Sequence, residues 1–211
     1  MRMTIGTTIL LGAMFFNGCS DPAADKTKAV TGEAAQVASP VTSAQGQRYQ
    51  ITSQNSKIEF VGSKVTGSEH GSFGDFSGNI QYAGDPAKSR VNITIKMDSI
   101  ATKSPGLDKH LKTADFFDVA KFPEATFVST EIKPGGEKGA THTVTGNLTM
   151  HGVTKAITFP ATINVTPDTA TVESSFSINR KDFGINYAGA ADNLIRDEVV
   201  LTLHIRATKS V

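Results

Sequence analysis

The first candidates for chemistry are the histidines and their acidic neighbours. Asp108, His110, Asp115 and Asp118 lie in one short segment, and His151 lies in a predicted turn further along the chain. Carboxylate and imidazole groups are common metal ligands and proton carriers. The spacing of the first group matches no familiar zinc motif, and His151 has no adjacent nucleophile or orienting acid. These residues leave an enzyme possible, but they predict neither a catalytic site nor a metal site.

Motifs of the common enzyme classes are absent from the sequence. The chain contains no Gly-x-Ser-x-Gly elbow, no His-Glu-x-x-His motif and no phosphate-binding glycine loop. Its 21 basic and 20 acidic residues nearly cancel, and no segment combines clustered basic residues with aromatic ones. We therefore predict a protein that is not an enzyme, has no cofactor or metal, and does not bind nucleic acid.

The N-terminus predicts export and lipid attachment. Arg2 precedes an uncharged apolar stretch, 5–16, which is too short to cross a bilayer, so residues 1–18 predict a signal peptide of the lipoprotein type. Cys19, the one cysteine, follows a small residue as in a bacterial lipobox, and its acylation would anchor the chain to a membrane. Ser20 is the residue after the cysteine, and a serine at this position favours sorting of a lipoprotein to the outer membrane in enteric bacteria. We expect a lipid-anchored protein of the bacterial periplasm or cell envelope; the alternative is an ordinary signal peptide with an unused thiol.

The elements that must position the remaining side chains are strands. Apolar and polar residues alternate in 91–97 and in 199–205, which is the two-residue period of half-buried strands. Further predicted strands, bounded by Gly and Pro turns, are 57–65, 72–83, 124–132, 141–150, 153–165 and 170–178. About eight strands joined by short turns predict an all-β domain, an antiparallel barrel or sandwich, over 48–208. Residues 19–47, which contain no aromatic residue, predict a flexible tether.

One segment departs from the strand pattern. Leu107, Leu111 and Ala114 recur near helical spacing, which predicts a short helix at 107–113 and a second turn at 114–118. Phe122 precedes a proline and is therefore kept out of the helical region. This helical insertion, about 105–118, either covers one end of the barrel or completes its core.

The inward positions of the predicted strands mix large and small side chains. A barrel of eight strands is near the size at which the interior either is filled by side chains or holds one small ligand. Alternation of large and small residues fits both cases, so composition leaves a ligand cavity open. The predicted inward residues are Phe60, Phe76, Ile93, Ile95, Phe127, Leu148, Ile157, Phe159, Phe176, Leu201 and Leu203.

Four segments together resemble one protein family. They are LDKHLKTADFFDVAKFP at 107–123, GNLTMHGVTK at 146–155, INRKDFGI at 178–185 and the closing strand DEVVLTL at 197–203. In order and spacing they resemble the YceI-like family of polyisoprenoid-binding proteins, over most of 48–208. The resemblance implies an eight-stranded, antiparallel, lipocalin-like β-barrel that sequesters or carries a long-chain polyisoprenoid of the quinone or polyprenyl type.

The resemblance also directs attention to cations at the mouth of the barrel, where a phosphate or polar ring would lie. Arginine suits bidentate phosphate contacts and lysine a point charge. The candidates for the head group are Lys109, Lys112, Arg180 and Arg196. A solvated charge or an ion pair with a nearby aspartate is the alternative for each.

Two alternative functions and the oligomeric state stay open at this point. A lipid-acting or metal-dependent enzyme would use the 108–118 cluster and His151. A solid barrel would instead serve as a stress-related envelope protein acting through protein contacts. A homodimer is possible in either case.

Overall fold

The computed structural model describes residues 21–36, 46–191 and 193–210. The signal peptide predicted for 1–18 and the predicted lipidation site Cys19 lie outside these residues. Within the described segments, we find no helix with the length and apolar character needed to cross a bilayer.

The described residues are almost entirely strands. In chain order the strands are β1 (Thr27–Lys28), β2 (Val30–Glu33), β3 (Gln47–Thr52), β4 (Lys57–Lys64), β5 (Gly67–Phe73), β6 (Phe76–Tyr82), β7 (Arg90–Lys96), β8 (Ile100–Thr102), β9 (Glu124–Pro134), β10 (His142–Met150), β11 (Val153–Val165), β12 (Thr169–Asn179), β13 (Gly189–Ala190), β14 (Asn193–Leu194) and β15 (Glu198–Lys209). One α-helix, α1 (Pro105–Leu111), follows β8, and 3-10 turns lie at Pro86–Lys88, Met97–Ser99, Glu137–Gly139 and Arg180–Phe183.

Eight strands close into an antiparallel barrel, in the order β12, β11, β10, β9, β7, β6, β3, β15 and back to β12. The predicted fold class is therefore confirmed. Short loops join β6 to β7, β9 to β10, β10 to β11 and β11 to β12, whereas a longer segment that contains α1 separates β7 from β9. The hairpin between β10 and β11 uses a two-residue loop in which His151 and Gly152 both have positive φ, 51° and 75°, the geometry that matches the twist of neighbouring strands.

Three strands extend the sheet beyond the barrel. β4 pairs with β15 beside β3, β5 pairs with β4, and β8 pairs with β5. The single strand predicted at 72–83 is two strands, β5 and β6, separated at Gly74 and Asp75. Most of β5 was not predicted as a strand, because its residues Ser68, Glu69 and His70 show no alternation of apolar and polar side chains.

The helical insertion is shorter than its predicted extent. Pro105 opens α1, and the Ser104 hydroxyl accepts a hydrogen bond from the Leu107 N–H at 3.4 Å, as N-cap residues do. The predicted second helical turn at 114–118 is wrong, because the backbone there forms turns and Asp118 takes a positive φ of 44°. Leu111 is buried in a hydrophobic cluster with residues of the barrel.

The ladder between β11 and β12 is incomplete. The two strands pair directly only through 162–165 and 170–173. Beyond that point β2 pairs antiparallel with 155–158 of β11, and β1 pairs parallel with β12, Thr27 opposite Phe176. We call residues 27–33 the strap, because they bridge the two strands.

The strap lies inside the segment for which the sequence predicts a flexible tether, 19–47. Residues 27–33 are instead part of the sheet, held by main-chain pairing on both sides. Strands of two and four residues carry too little alternation to be recognised from sequence.

Candidate functional site

An apolar cavity of about 160 Å³ lies inside the barrel. Twenty-eight of the described residues line it, and all of them except Arg180 are apolar. Ten of the eleven residues predicted to face inward line this cavity: Phe60, Ile93, Ile95, Phe127, Leu148, Ile157, Phe159, Phe176, Leu201 and Leu203.

Phe76 is the predicted lumen residue that does not line the cavity. Its side chain is buried, but it packs within the hydrophobic cluster that also contains Phe73 and Met97. Phe76 is the first residue of β6, and it is Ile80, further along the same face, that reaches the cavity wall.

Some wall residues were missed although the sequence carried a signal for them. Val199 and Ile205 lie on the same face of β15 as the predicted Leu201 and Leu203, so the same alternation would have identified them. Ile185 follows a 3-10 turn outside the strands. No periodicity indicates a residue of that kind.

Aromatic rings form one part of the wall, and glycines make room for them. The rings of Phe127 and Phe159 have centroids 5.8 Å apart. Phe127 covers Gly146, where an added Cβ would lie 2.4 Å from the ring atom Cζ. Phe60 covers Gly71 in the same way, at 2.3 Å. Larger residues at these glycines would push the rings out of place.

Arg180 is the polar residue of the cavity wall. Its side chain is 5% exposed, and its guanidinium donates to main-chain carbonyls, from Nη1 to Ile185 at 2.7 Å and from Nε to Arg196 at 3.1 Å. Nη2 lies 3.4 Å from Asp197 Oδ1. Burial lowers the pKa of Arg180, and the charge of Asp197 opposes that shift. The predicted mouth residue is therefore a buried cation held by carbonyl oxygens.

A second pocket of about 230 Å³, lined by both charged and apolar residues, lies beside the cavity, and Arg180 belongs to both walls. Lys181 and Arg196 also line it. Lys181 Nζ lies 2.9 Å from Asp197 Oδ2, and Arg196 Nη1 lies 3.5 Å from Asp21 Oδ2. The structure thus brings together two of the four predicted head-group cations, Arg180 and Arg196.

The other two predicted head-group cations, Lys109 and Lys112, lie elsewhere. Lys109 is an exposed residue of α1, and Lys112 Nζ lies 3.0 Å from Asp98 Oδ1. Neither residue lines the cavity or the second pocket.

The acidic cluster has local structural contacts. The Asp108 carboxylate accepts hydrogen bonds from the Thr102 N–H and hydroxyl, both at 2.7 Å. His110 Nε2 lies 2.9 Å from Asp115 Oδ2. In the described part of the chain, no three His, Cys, Asp or Glu side chains are placed to hold one metal ion.

His151 has two partners at its hairpin. Its Nδ1 lies 3.2 Å from the Phe183 carbonyl, and its ring meets that of Phe122 edge-on with centroids 4.9 Å apart. The first contact joins the hairpin to the turn that follows β12, and the second joins it to the segment just before β9.

Comparisons with known proteins agree with this geometry. Residues 49–207 match the family model of the YceI-like domain. A UPF0312 protein of Pseudomonas putida strain GB-1 is 42% identical over 133 residues, 60% of this chain and 68% of the relative. The crystal structure of Burkholderia cenocepacia BcnA has a TM-score of 0.63 at 27% identity, covering 75% of this chain and 99% of that one.

A further solved structure shares the fold at lower identity. It is a polyisoprenoid binding domain from Saccharophagus degradans, implicated in plant cell wall breakdown, with a TM-score of 0.62 at 17% identity. The match covers 79% of this chain and 100% of that domain.

Proposed function

Because this chain belongs to the YceI-like domain family, we propose that it binds a polyisoprenoid, of the quinone or polyprenyl type, and carries or sequesters it in the bacterial cell envelope. The isoprenoid chain occupies the cavity of the barrel. The name of the Saccharophagus degradans domain, which shares the fold, supports this class of ligand.

The composition of the cavity wall is the observation that carries the proposal. All of the lining residues except Arg180 are apolar, as a ligand of methyl and methylene groups requires. Removing such groups from water contributes about 25 cal/mol per Å² of buried surface. Affinity for the chain therefore needs no polar network in the wall.

The cavity enlarges when the ligand enters. A volume of about 160 Å³ is similar to that of engineered cavities that take up a single benzene molecule. A long isoprenoid is larger, so wall side chains must change rotamers. Met97 and Met150 lie in the wall, and methionine adapts to irregular space more readily than branched residues do.

The polar end of the lipid lies in the second pocket, because Arg180 connects that pocket to the cavity. Arg196 and Lys181 supply further positive charge there. Arginine and lysine both suit a phosphate, and each can donate to a quinone oxygen. Lys109 and Lys112, which lie apart from both pockets, take no part.

The decisive experiment is native mass spectrometry, with lipid extraction, of the protein purified from its own host. We expect one polyisoprenoid molecule per chain. A barrel that is empty after several gentle preparations would favour the solid-barrel alternative.

We place the protein at the outer membrane, held by acyl chains on Cys19. The Cys19→Ala variant should accumulate as unprocessed precursor or leave the membrane fraction. A variant that is processed normally and stays membrane-bound in high salt would contradict the anchor.

A further inference from the structure

The barrel wall has a seam at which two neighbouring strands separate. The direct pairing of β11 with β12 stops at Thr162, opposite Glu173. Pro160 explains the break. Its carbonyl faces β12, where it accepts a hydrogen bond from the Ser174 hydroxyl at 2.5 Å. The amide of a strand residue points the same way as its carbonyl, so at Pro160 the donor toward β12 is missing.

The strap fills this seam. Val30 lies opposite Thr158 and Gly32 opposite Ala156 on the β11 side. On the β12 side, the Ala29 N–H donates to the Ser177 carbonyl at 2.8 Å. The strap thus satisfies main-chain groups on both exposed strand edges, which would otherwise face solvent.

The seam lies over the cavity. Ile157 and Phe159 of β11, and Phe176 and Ile178 of β12, all line the cavity wall. These residues flank the strap on its two sides. With the strap gone, β11 and β12 would still be joined across the seam by the Ser174–Pro160 hydrogen bond and by the stacked rings of Phe159 and Phe176. Parting of these contacts would open a slit that reaches the cavity.

The strap is fastened mainly by polar contacts at the surface. Within residues 27–33, all of them described, Ala29 is the one buried residue, at 5% exposure, whereas Val30 is 71% exposed. Lys28 Nζ lies 2.5 Å from Glu198 Oε1, and Lys155 Nζ lies 2.8 Å from Glu33 Oε1.

The chain just beyond the strap is held by one side chain of β10. The Ala35 N–H donates to Asn147 Oδ1 at 2.9 Å, and Asn147 Nδ2 donates to the Ala35 carbonyl at 2.7 Å. Surface ion pairs such as those of Lys28 and Lys155 contribute little each, whereas the two hydrogen bonds of Asn147 are partly buried. Separation of the strap would break its main-chain pairing and these surface contacts, but from the apolar core it would remove only one small side chain, Ala29.

We propose that the strap is a removable strand of the barrel and that the slit beneath it is the route by which the isoprenoid enters and leaves the cavity. This inference rests on the proposed function. A lateral slit lets a long chain pass sideways into the barrel, without threading its whole length through one end.

A disulfide across the strap tests the inference. In the full-length Val30→Cys, Thr158→Cys variant the two cysteines face each other in register, and the Cα separation of paired antiparallel residues suits a disulfide. Native mass spectrometry follows the uptake of a long-chain polyprenol from phosphatidylcholine vesicles. The measurement is made on the variant first with its disulfide oxidised and then with the disulfide reduced. Asn79→Cys with Asn92→Cys, a pair across the continuous β6 and β7 ladder, is the matched control. The single variants Val30→Cys and Thr158→Cys serve as controls for a disulfide between an introduced cysteine and Cys19.

Oxidation of the strap variant should slow uptake of the polyprenol about tenfold or more, because the disulfide prevents the strap from leaving the sheet, and reduction should restore the rate. Oxidation of the control pair should change nothing. Equal uptake by the oxidised and reduced strap variants would overturn the proposed entry route and leave the proposed function standing. Absence of uptake by the wild-type protein would overturn the proposed function, and the entry route with it.

Hydrogen exchange of the wild-type protein gives a readout that needs no variant. The amides of the strap should exchange about tenfold faster, or more, than those of the β9 and β10 ladder, because the strap opens without global unfolding. Equal protection in the two regions would contradict a removable strand.

Discussion

The ring of Phe159 stacks on the ring of Phe176, with centroids 4.2 Å apart and planes 10° apart. The two residues belong to β11 and β12 in the stretch where these strands share no direct main-chain pairing. Stacked aromatic pairs contribute about 0.5–1.5 kcal/mol beyond their buried area. The seam is thus held from inside by side chains and from outside by the strap.

Filling the cavity should abolish binding at little cost in stability. Ala125 lines the cavity, so Ala125→Phe places a ring in open space and should remove the co-purifying lipid. Ala161 is 1% exposed and does not line the cavity; Ala161→Phe should therefore overpack the core at about 1–3 kcal/mol. Urea unfolding and lipid content are measured on both variants. An Ala125→Phe protein that loses stability and keeps its lipid would count against the cavity.

A methyl group at Gly146 should displace the ring of Phe127. The added Cβ would lie 2.4 Å from Phe127 Cζ and 2.7 Å from the Val128 carbonyl oxygen. Because the backbone itself must shift, Gly146→Ala should cost about 1–3 kcal/mol of unfolding free energy. The control is Gly62→Ala, where nothing lies within 4 Å and no loss is expected. Equal urea midpoints for the two variants would refute this account of the wall.

Replacement of Arg180 by methionine should destabilise the protein, although an apolar side chain would match the rest of the cavity wall. Arg180→Met leaves the carbonyls of Ile185 and Arg196 without their donor, at about 1–3 kcal/mol for each buried group. Arg180→Lys keeps the charge but lacks the planar fork of donors, so it should recover only part of the loss. The exposed Arg206 serves as control, with a change within about 0.5 kcal/mol expected for Arg206→Met. Thermal unfolding at neutral pH is the measurement; a fully stable Arg180→Met would contradict the role.

The strap should loosen at both extremes of pH. The hydrogen bond and charge of Glu198 raise the pKa of Lys28 above its usual 10.5, so that contact is fully present below 10.5 and is lost as the pH rises through the higher value. Lys155 lowers the pKa of Glu33 below its usual 4.5, so that contact is present above 4.5 and is lost as the pH falls through the lower value. The strap is therefore held best between these limits. Both pairs are exposed, and the effect should be small and should shrink in salt.

Methyl NMR signals of Ala29 and Val30 report this loosening. They should shift or broaden below pH 4.5, while those of Ile95 stay constant. Ile95 precedes Lys96, whose ion pair with Glu124 joins two strands of the continuous barrel. Strap signals that do not change over a range in which the barrel stays folded would show that the ion pairs do not fasten it.

Much of the cavity wall was predictable because a two-residue period assigns side chains to faces. The alternation in β7 and β15 identified Ile93, Ile95, Leu201 and Leu203, and all four line the cavity. The seam carried one signal that was overlooked. Pro160 lies within the predicted strand 153–165, and a proline there indicates an interrupted ladder.

Other features depend on contacts that sequence does not reveal. Arg180 follows a strand and precedes a turn, which is typical of an exposed cation. Its burial requires carbonyls from Ile185 and Arg196, which only the folded chain brings together. The strap is equally hidden, since its strands have two and four residues and bury one alanine.

The position of the strap in the chain also sets an order of assembly. Thr27 pairs with Phe176, so the first described strand docks against strands from the last third of the molecule. Closing a loop of that length is entropically costly, and such distant pairings form slowly. A newly synthesised chain leaves the ribosome N-terminus first, and its strap has no partner until β11 and β12 exist. We therefore expect the strap to dock last, after β11 and β12 have formed the wall that it closes.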